Sequence, residues 1–332
     1  MILDAALPPV PPSAAPAIAR AAEDLGFGAI WTSETIHDPF LPAALIAEHT
    51  RRIQIGTAVA IAFARSPATM AYTAWDLAQF SAGRFILGLG TQVKGHIERR
   101  YGMPWPASVT GKLREQIAAI RAFWHTWQTG EPLVFRGEYY RLSLMTPFFN
   151  PGPIEHPEIP IYIAGVNTGL AKLAGEVADG FHIHPFHSPA YLFDVLLPAF
   201  GEGIARAGRK PQDLRLSATV FAGTSPEEKD FIRAQIAFYA STPSYRTVMA
   251  QHGWQEVAEQ LSRLAARGRW GEMPGLISDE MLATYAVLVD PDELPNALAE
   301  RYRGHVSRVT LYAPFTPGER DAFWQLLLKR MG

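Results

Sequence analysis

The chain has 332 residues, 48% hydrophobic and 19% charged, enough apolar content for two average domains or one large α/β barrel. Its formal net charge of -2 gives no electrostatic reason to expect nucleic acid or an anionic membrane as partner. Cysteine is absent, which excludes disulfides, thiolate metal sites and cysteine nucleophiles. The opening M-I-L-D-A-A-L lacks the basic and apolar regions of a secretory signal, and no apolar run approaches the ~20 residues needed to span a bilayer. A cytoplasmic enzyme is the expectation.

Taken in chain order, strands and helices alternate. Ile2–Leu7 reads as strand one, followed by an Ala-rich helix over Ser13–Leu25 that Gly26 closes. Ala29–Ser33 is strand two, with a loop E-T-I-H-D-P-F and a helix near Leu41–His49. Arg52–Val59 and Arg84–Gly90 are strands three and four, around a helix Ala68–Phe80. Their short apolar runs suit strands buried on both faces, and the crossover helix makes them parallel. A long helix follows from about Val109 to Trp127. Gly130–Pro160 is rich in Pro, Gly and aromatics and lacks periodicity, and a connection of that length reads as a functional insertion. Ile161–Ala164 and Gly180–His184 are strands five and six, around a helix Thr168–Ala178. Leu214–Ala222 and Arg308–Ala313 are strands seven and eight, separated by a helical excursion over residues 226–303, and a last helix covers Pro317–Lys329. This pattern predicts one (β/α)8 TIM barrel domain over residues 1–332, with insertions after strands four and seven that shape a substrate pocket. A doubly wound sheet is the alternative, and it fits less well because no G-x-G-x-x-G follows strand one.

Ligands of such barrels bind beyond the carboxyl ends of the strands, so the residues there are the candidates. After strand two, Glu34 and His37 offer a carboxylate and an imidazole for general acid/base chemistry; Glu34 reads equally as a hydrogen-bond partner of a cofactor ring. Strand three ends in Gly56-Thr57-Ala58-Val59 and strand four in Gly88-Leu89-Gly90-Thr91-Gln92, small residues that let a flat cofactor approach the backbone. After strand five, Ala164-Gly165-Val166-Asn167-Thr168 opens a helix. Amides at a helix N-terminus suit a phosphate, and Asn167 or Thr168 also reads as a plain N-cap. After strand six, His182 and His184 share a face. His184 is the better pocket candidate, and Ser188 either contacts a phosphate or caps the next helix. Nothing supplies these histidines with further ligands, so no metal site is expected. Arg65, Trp75, Trp124, Trp127 and Trp254 read as packing or surface residues.

Several longer motifs follow one another along nearly the whole chain: A-A-E-D-L-G-F-G-A-I-W-T-S-E (Ala21–Glu34), R-I-Q-I-G-T-A-V (Arg52–Val59), S-A-G-R-F-I-L-G-L-G (Ser81–Gly90), I-Y-I-A-G (Ile161–Gly165) and A-G-E-V-A-D-G (Ala174–Gly180). Together they resemble the bacterial-luciferase-like superfamily, in its deazaflavin-dependent oxidoreductase branch. The resemblance implies a barrel that binds 8-hydroxy-5-deazaflavin (coenzyme F420), or FMN in sister branches, and moves a hydride between the cofactor's C5 and a small organic substrate. It implies a non-prolyl cis peptide beneath the ring, which by motif falls on Ala58–Val59. It places Glu34, Thr57, Thr91 and Gln92 around the cofactor ring, and Ala164, Gly165, Val166, His184 and Ser188 at its other contacts. Glu34, His37 or His184 would manage the proton. Family members that oxidise sugars or alcohols carry a glutamate shortly after strand four; Val93 stands in that place here, with Gln92, Lys94 and His96 as polar neighbours. Two alternatives stay open: an FMN-dependent monooxygenase with a partner reductase, and a barrel that binds a flavin-like ligand without turnover. Assembly as a homodimer is also left open.

Overall fold

A computed structural model describes residues 1–331. Its strands β1 (Ile2–Ala6), β2 (Ala29–Thr32), β3 (Gln54–Thr57), β4 (Phe85–Gly90), β5 (Ile161–Gly165), β6 (Gly180–Ile183), β7 (Arg215–Gly223) and β8 (Arg308–Leu311) fall within a few residues of the expected positions. They pair in parallel and alternate with helices, which is the (β/α)8 barrel fold. The chain groups into two compact units, one of Leu7–Ala164 with Val177–Gly180 and the other of Met1–Ala6, Gly165–Glu176 and Phe181 onward. Among the described residues no helix is long and apolar enough to cross a membrane.

In the first unit β2, β3, β4 and β5 lie side by side, with Trp31 opposite Gly56 and Thr32 opposite Thr57. β2 and β4 are buried along their whole length, which is why their sequences run apolar instead of alternating. The helices Pro67–Phe80 and Val109–Thr129 each start at a serine, Ser66 and Ser108, whose hydroxyl accepts an amide of the first turn. Trp75, Trp124 and Trp127 pack between these helices, with Trp75 5.6 Å from Trp127 and 6.5 Å from Trp124 by ring centroid. The insertion after β4 contains an antiparallel hairpin, Phe135–Arg136 with Arg141–Leu142, too short to leave a periodic signal. Its tip is fastened to the long helix: the Glu115 carboxylate accepts the amides of Glu138 and Tyr139, both at 2.8 Å, and of Tyr140 at 3.3 Å.

In the second unit β6 pairs with β7, β7 with β8 and β8 with β1. Arg308 and Asp4 make a buried bidentate ion pair there, Nε to Oδ2 at 2.7 Å and Nη2 to Oδ1 at 2.8 Å. The excursion after β7 opens with the helix Pro226–Ala240, started by a capping box of Ser225 and Glu228. One correction applies to it. Residues 226–303 read as helical, yet Ala286–Leu288 is a strand that pairs in parallel with Phe221–Gly223 at the end of β7. Three apolar residues are too few to separate a strand from a helix by period.

Candidate functional site

In the first unit Glu34 leaves β2 with 6% of its side chain exposed. Its Oε2 accepts the Ile61 amide at 2.8 Å and Arg65 Nη1 at 2.6 Å, and its Oε1 accepts the Tyr101 hydroxyl at 3.0 Å. Arg65 also donates from Nη2 to Asp38 Oδ2 at 2.7 Å, and Asp38 Oδ1 accepts the Phe40 amide at the start of the next helix. Burial acts to lower the pKa of Arg65, but the hydrogen bonds and charges of Glu34 and Asp38 outweigh it and hold the guanidinium above its ordinary value. Burial first, then the charge and hydrogen bond of Glu34, push the Tyr101 phenol upward. From the long helix, buried Gln116 donates to the carbonyls of Ala62 (2.7 Å) and Arg65 (3.2 Å). The turn after Ile61 is thereby fixed by a carboxylate and a carboxamide.

The backbone beside this network is the end of β3. The Ala58–Val59 peptide bond is cis. The Ala58 amide donates to the Thr32 carbonyl at 2.7 Å and the Glu34 amide to the Val59 carbonyl at 3.3 Å, and Ala58 and Val59 are both half-buried. Gly90 makes room for this strand end, because a Cβ there would lie 2.5 Å from Val59 Cγ2. Thr57 is fully buried, and its hydroxyl donates to the Gly88 carbonyl at 2.7 Å and accepts the Gly88 amide at 2.9 Å, so it ties β3 to β4. Gln92 takes the left-handed conformation at φ 58 and caps its neighbour, Oε1 accepting the Val93 amide at 3.0 Å; the Thr91 hydroxyl donates to the Gln92 carbonyl. Lys94 and His96 are exposed, Lys94 3.8 Å from Glu98. His37 is half-buried beside a small cavity that it lines with Leu7, Val10, Thr32 and Asp38 of the Glu34 network.

In the second unit the turn after β5 opens the helix Thr168–Val177. Gly165 is needed for the close turn, because a Cβ there would lie 2.5 Å from Leu170 Cβ. The Val166 carbonyl accepts the Tyr191 hydroxyl at 3.0 Å, and the same hydroxyl is 3.2 Å from Thr247 Oγ1, which donates to Asn167 Oδ1 at 3.3 Å. Ala164 is half-buried, whereas Thr168 and Gly169, the first helical residues, are exposed. Ser188 is fully buried, its Oγ accepting the Tyr191 amide at 3.0 Å and lying 2.7 Å from His252 Nε2. Of its two sequence readings, the cap is the one its hydrogen bonds display.

His184, at the end of β6, accepts the Phe186 amide on Nδ1 at 3.1 Å, which leaves the proton of the neutral ring on Nε2. Burial pushes its pKa down to about 3. Its ring meets Tyr239 edge-on at 4.6 Å and Tyr245 at 5.0 Å. Burial, with the Arg301 charge behind it, likewise lowers His187 to about 3. His187 Nδ1 is bound to the His184 carbonyl at 2.7 Å, its Nε2 lies 3.3 Å from the Tyr302 hydroxyl, and its own carbonyl accepts Arg301 Nη2 at 3.2 Å.

The candidates therefore fall into connected groups, Glu34 with Ala58 and Val59, and Gly165 and Val166 with Ser188 through Tyr191. Arg65 corrects its sequence reading, being the cation between two carboxylates and not a packing residue. Tyr101, Gln116, Tyr239 and Tyr312 were missed. The segments A-F-A-R-S-P and F-Y-A-S-T-P-S-Y-R are distinctive in composition, but composition does not say which side chain finds which partner.

A family model described as luciferase-like monooxygenase matches residues 4–308. An uncharacterized protein of Mycobacterium tuberculosis is 46% identical over 299 residues, covering 88% of this chain and 87% of its own. A second protein of that organism, named as a candidate coenzyme F420-dependent oxidoreductase, is 30% identical over 336 residues, covering 94% of each. Among solved structures, the coenzyme F420 dependent tetrahydromethanopterin reductase from Methanopyrus kandleri matches the fold with a TM-score of 0.78 at 22% identity, over 99% of this chain and 97% of that one. By the extent of the family match and the identity of these relatives, the chain belongs to the luciferase-like monooxygenase family, a family of enzymes.

Proposed function

We propose that the chain is a coenzyme F420-dependent oxidoreductase acting on a small organic substrate. The observation that carries this reading is the end of β3. There Ala58 and Val59 are half-buried, Gly90 leaves room for them, and the Glu34–Arg65 network holds the turn that follows. Such a strand end fits a flat tricyclic ring against its backbone. Bound there, the deazaflavin would supply a hydride donor or acceptor at C5. In the second unit, taken by itself, exposed Thr168 and Gly169 at a helix N-terminus suit an anion such as a phosphate.

Each side chain then takes a role set by its bonds. Glu34 has both oxygens engaged, one of them by a guanidinium, so it positions Arg65, Tyr101 and the turn at Ile61 instead of trading a proton. His184 keeps its proton on Nε2 and presents a neutral hydrogen-bond donor at the end of β6. Val93 has no proton to give, so the chemistry does not run through the position where sugar-oxidising relatives place a glutamate.

The test is a fluorescence titration of the purified protein with oxidised deazaflavin and with FMN. Deazaflavin is expected to bind at least about tenfold tighter, roughly 1.4 kcal/mol. Equal or FMN-favouring affinity would move the reading to an FMN-dependent monooxygenase, and tight binding without turnover of any substrate to a binding barrel.

A further inference from the structure

We propose that His184, Tyr239, Tyr245 and Tyr312, backed by the fully buried ring of Phe221, form the substrate-binding wall of the second unit, and that its substrate is an uncharged, flat organic molecule with an aromatic or conjugated ring and one hydroxyl, N–H or carbonyl group. The inference deepens the oxidoreductase reading above and rests on it for the identity of the wall's occupant as substrate.

Three of these residues lie at carboxyl ends of barrel strands, where barrel enzymes bind their substrates. His184 follows β6, Phe221 is near the end of β7 and Tyr312 follows β8. Tyr239 and Tyr245 come from the excursion after β7, and bring two more rings against the first three. Phe221 lies 4.9 Å from Tyr312 and 6.2 Å from Tyr239 by ring centroid, and His184 lies 4.6 Å from Tyr239. His184, Tyr239, Tyr245 and Tyr312 are half-buried, so each keeps part of its surface open. A flat ring gains most from such surroundings, through offset and edge contacts with ring faces.

The polar tip of the wall is a hydrogen-bond chain that runs from Tyr239 through Tyr312 to Gln235. Tyr312 donates to Gln235 Oε1 at 3.1 Å, which uses its one proton. The contact between the Tyr239 and Tyr312 hydroxyls, at 2.8 Å, is therefore donated by Tyr239. Both phenol oxygens keep acceptor capacity for a ligand hydroxyl or N–H, and either hydroxyl can rotate to donate to a carbonyl at the expense of one internal bond. None of the five side chains is charged near neutrality: burial lowers His184 and raises Tyr239, Tyr245 and Tyr312. A carboxylate or phosphate against this wall would lose its hydration without gaining a counter-charge from it.

Three probes separate the terms: benzyl alcohol, neutral and planar; benzoate, planar and anionic; and cyclohexylmethanol, neutral and not planar. Binding to the whole protein is measured by saturation-transfer NMR at neutral pH. Benzyl alcohol is expected to bind at least about tenfold tighter than benzoate and about threefold tighter than cyclohexylmethanol. Tyr312→Phe keeps the ring and removes the hydroxyl, and should weaken benzyl alcohol about threefold; Tyr245→Leu should weaken it by a similar factor. Benzoate binding as tightly as benzyl alcohol, no binding of any probe, or both variants binding like the parent would each overturn the inference. Deazaflavin titration of the same samples tells its failure from that of the function. Deazaflavin binding without the probe preference removes the wall and leaves the oxidoreductase. The probe preference without deazaflavin binding keeps the wall as a site and removes the oxidoreductase.

Discussion

The two units organise their strand ends by opposite means. In the first, charge does the positioning: Glu34, Arg65 and Asp38 fasten the turn after Ile61 and the start of the helix Phe40–His49. In the second, mostly neutral groups do it: His184, His187, Tyr191 and Ser188 hold the loops through uncharged hydrogen bonds, rings pack against rings, and Arg301 adds one charged donor to the His187 carbonyl. Charge gives long reach and strict partner choice, and it fails abruptly when one partner is lost. A neutral network tolerates the loss of one member and fails when protons are forced onto it.

Removing the cation should give the largest effect. Arg65→Met leaves the nearly buried Glu34 without its counter-charge, and a loss of about 3–5 kcal/mol in unfolding free energy is expected from urea titration. Arg65→Lys should recover only part of it, because an ammonium cannot span both carboxylates as a guanidinium does. A loss below about 1 kcal/mol for Arg65→Met would show that water screens the network.

Acid should break the neutral side. His184 and His187, held near 3, stay unprotonated in the folded chain, while the unfolded chain takes up their protons below about 6.5. Stability therefore falls as pH drops from 6.5 towards 3. These two residues contribute about 2.4 kcal/mol of loss between pH 6 and pH 5, roughly 1.2 kcal/mol each, because the unfolded histidines are already partly protonated at pH 6. Urea unfolding at both pH values measures it, and His187→Asn should make the loss smaller.

Function sharpens the contrast further. Glu34→Gln is expected to lower the single-turnover hydride-transfer rate by about tenfold through misplacement of Arg65 and the turn, with deazaflavin affinity changed far less. Unchanged transfer would leave Glu34 a role in stability alone. The smallest effect belongs to Tyr101→Phe, which removes one of the hydrogen bonds to Glu34 and should cost about 1–2 kcal/mol of stability.

The strand ends were legible in the sequence because each barrel strand is a short apolar run closed by small residues, and Glu34 and His184 could be placed by counting from those ends. Their partners could not. Glu34 meets Arg65 across 31 positions and Tyr239 meets Tyr312 across 73, separations at which no local pattern records who meets whom. The strand Ala286–Leu288 and the hairpin at Phe135–Leu142 escaped for a different reason, since two or three residues span less than one helical turn and at most one and a half strand repeats, too little to tell the two periods apart. Gly165 was legible as a small residue before a helix start suited to a phosphate, but its missing Cβ also clears Leu170. A bulky substitution there would disturb the helix as well as any ligand, and it is a poor probe of the phosphate cradle.

Glu115 gives the insertion after β4 an evolutionary latitude. A two-stranded hairpin is marginal by itself, and this one is anchored by a carboxylate that binds the backbone amides of residues 138–140 and not their side chains. Gly137 is constrained, because a Cβ there would run into the Glu115 carboxylate. Glu138 can change identity without loosening the anchor, whereas Tyr139 adds a side-chain tie of its own, its hydroxyl accepting the Ser108 amide at 3.1 Å. Mutation can thus re-letter the part of the hairpin tip that is read only through its backbone, while Gly137 and Tyr139 keep the attachment to the scaffold.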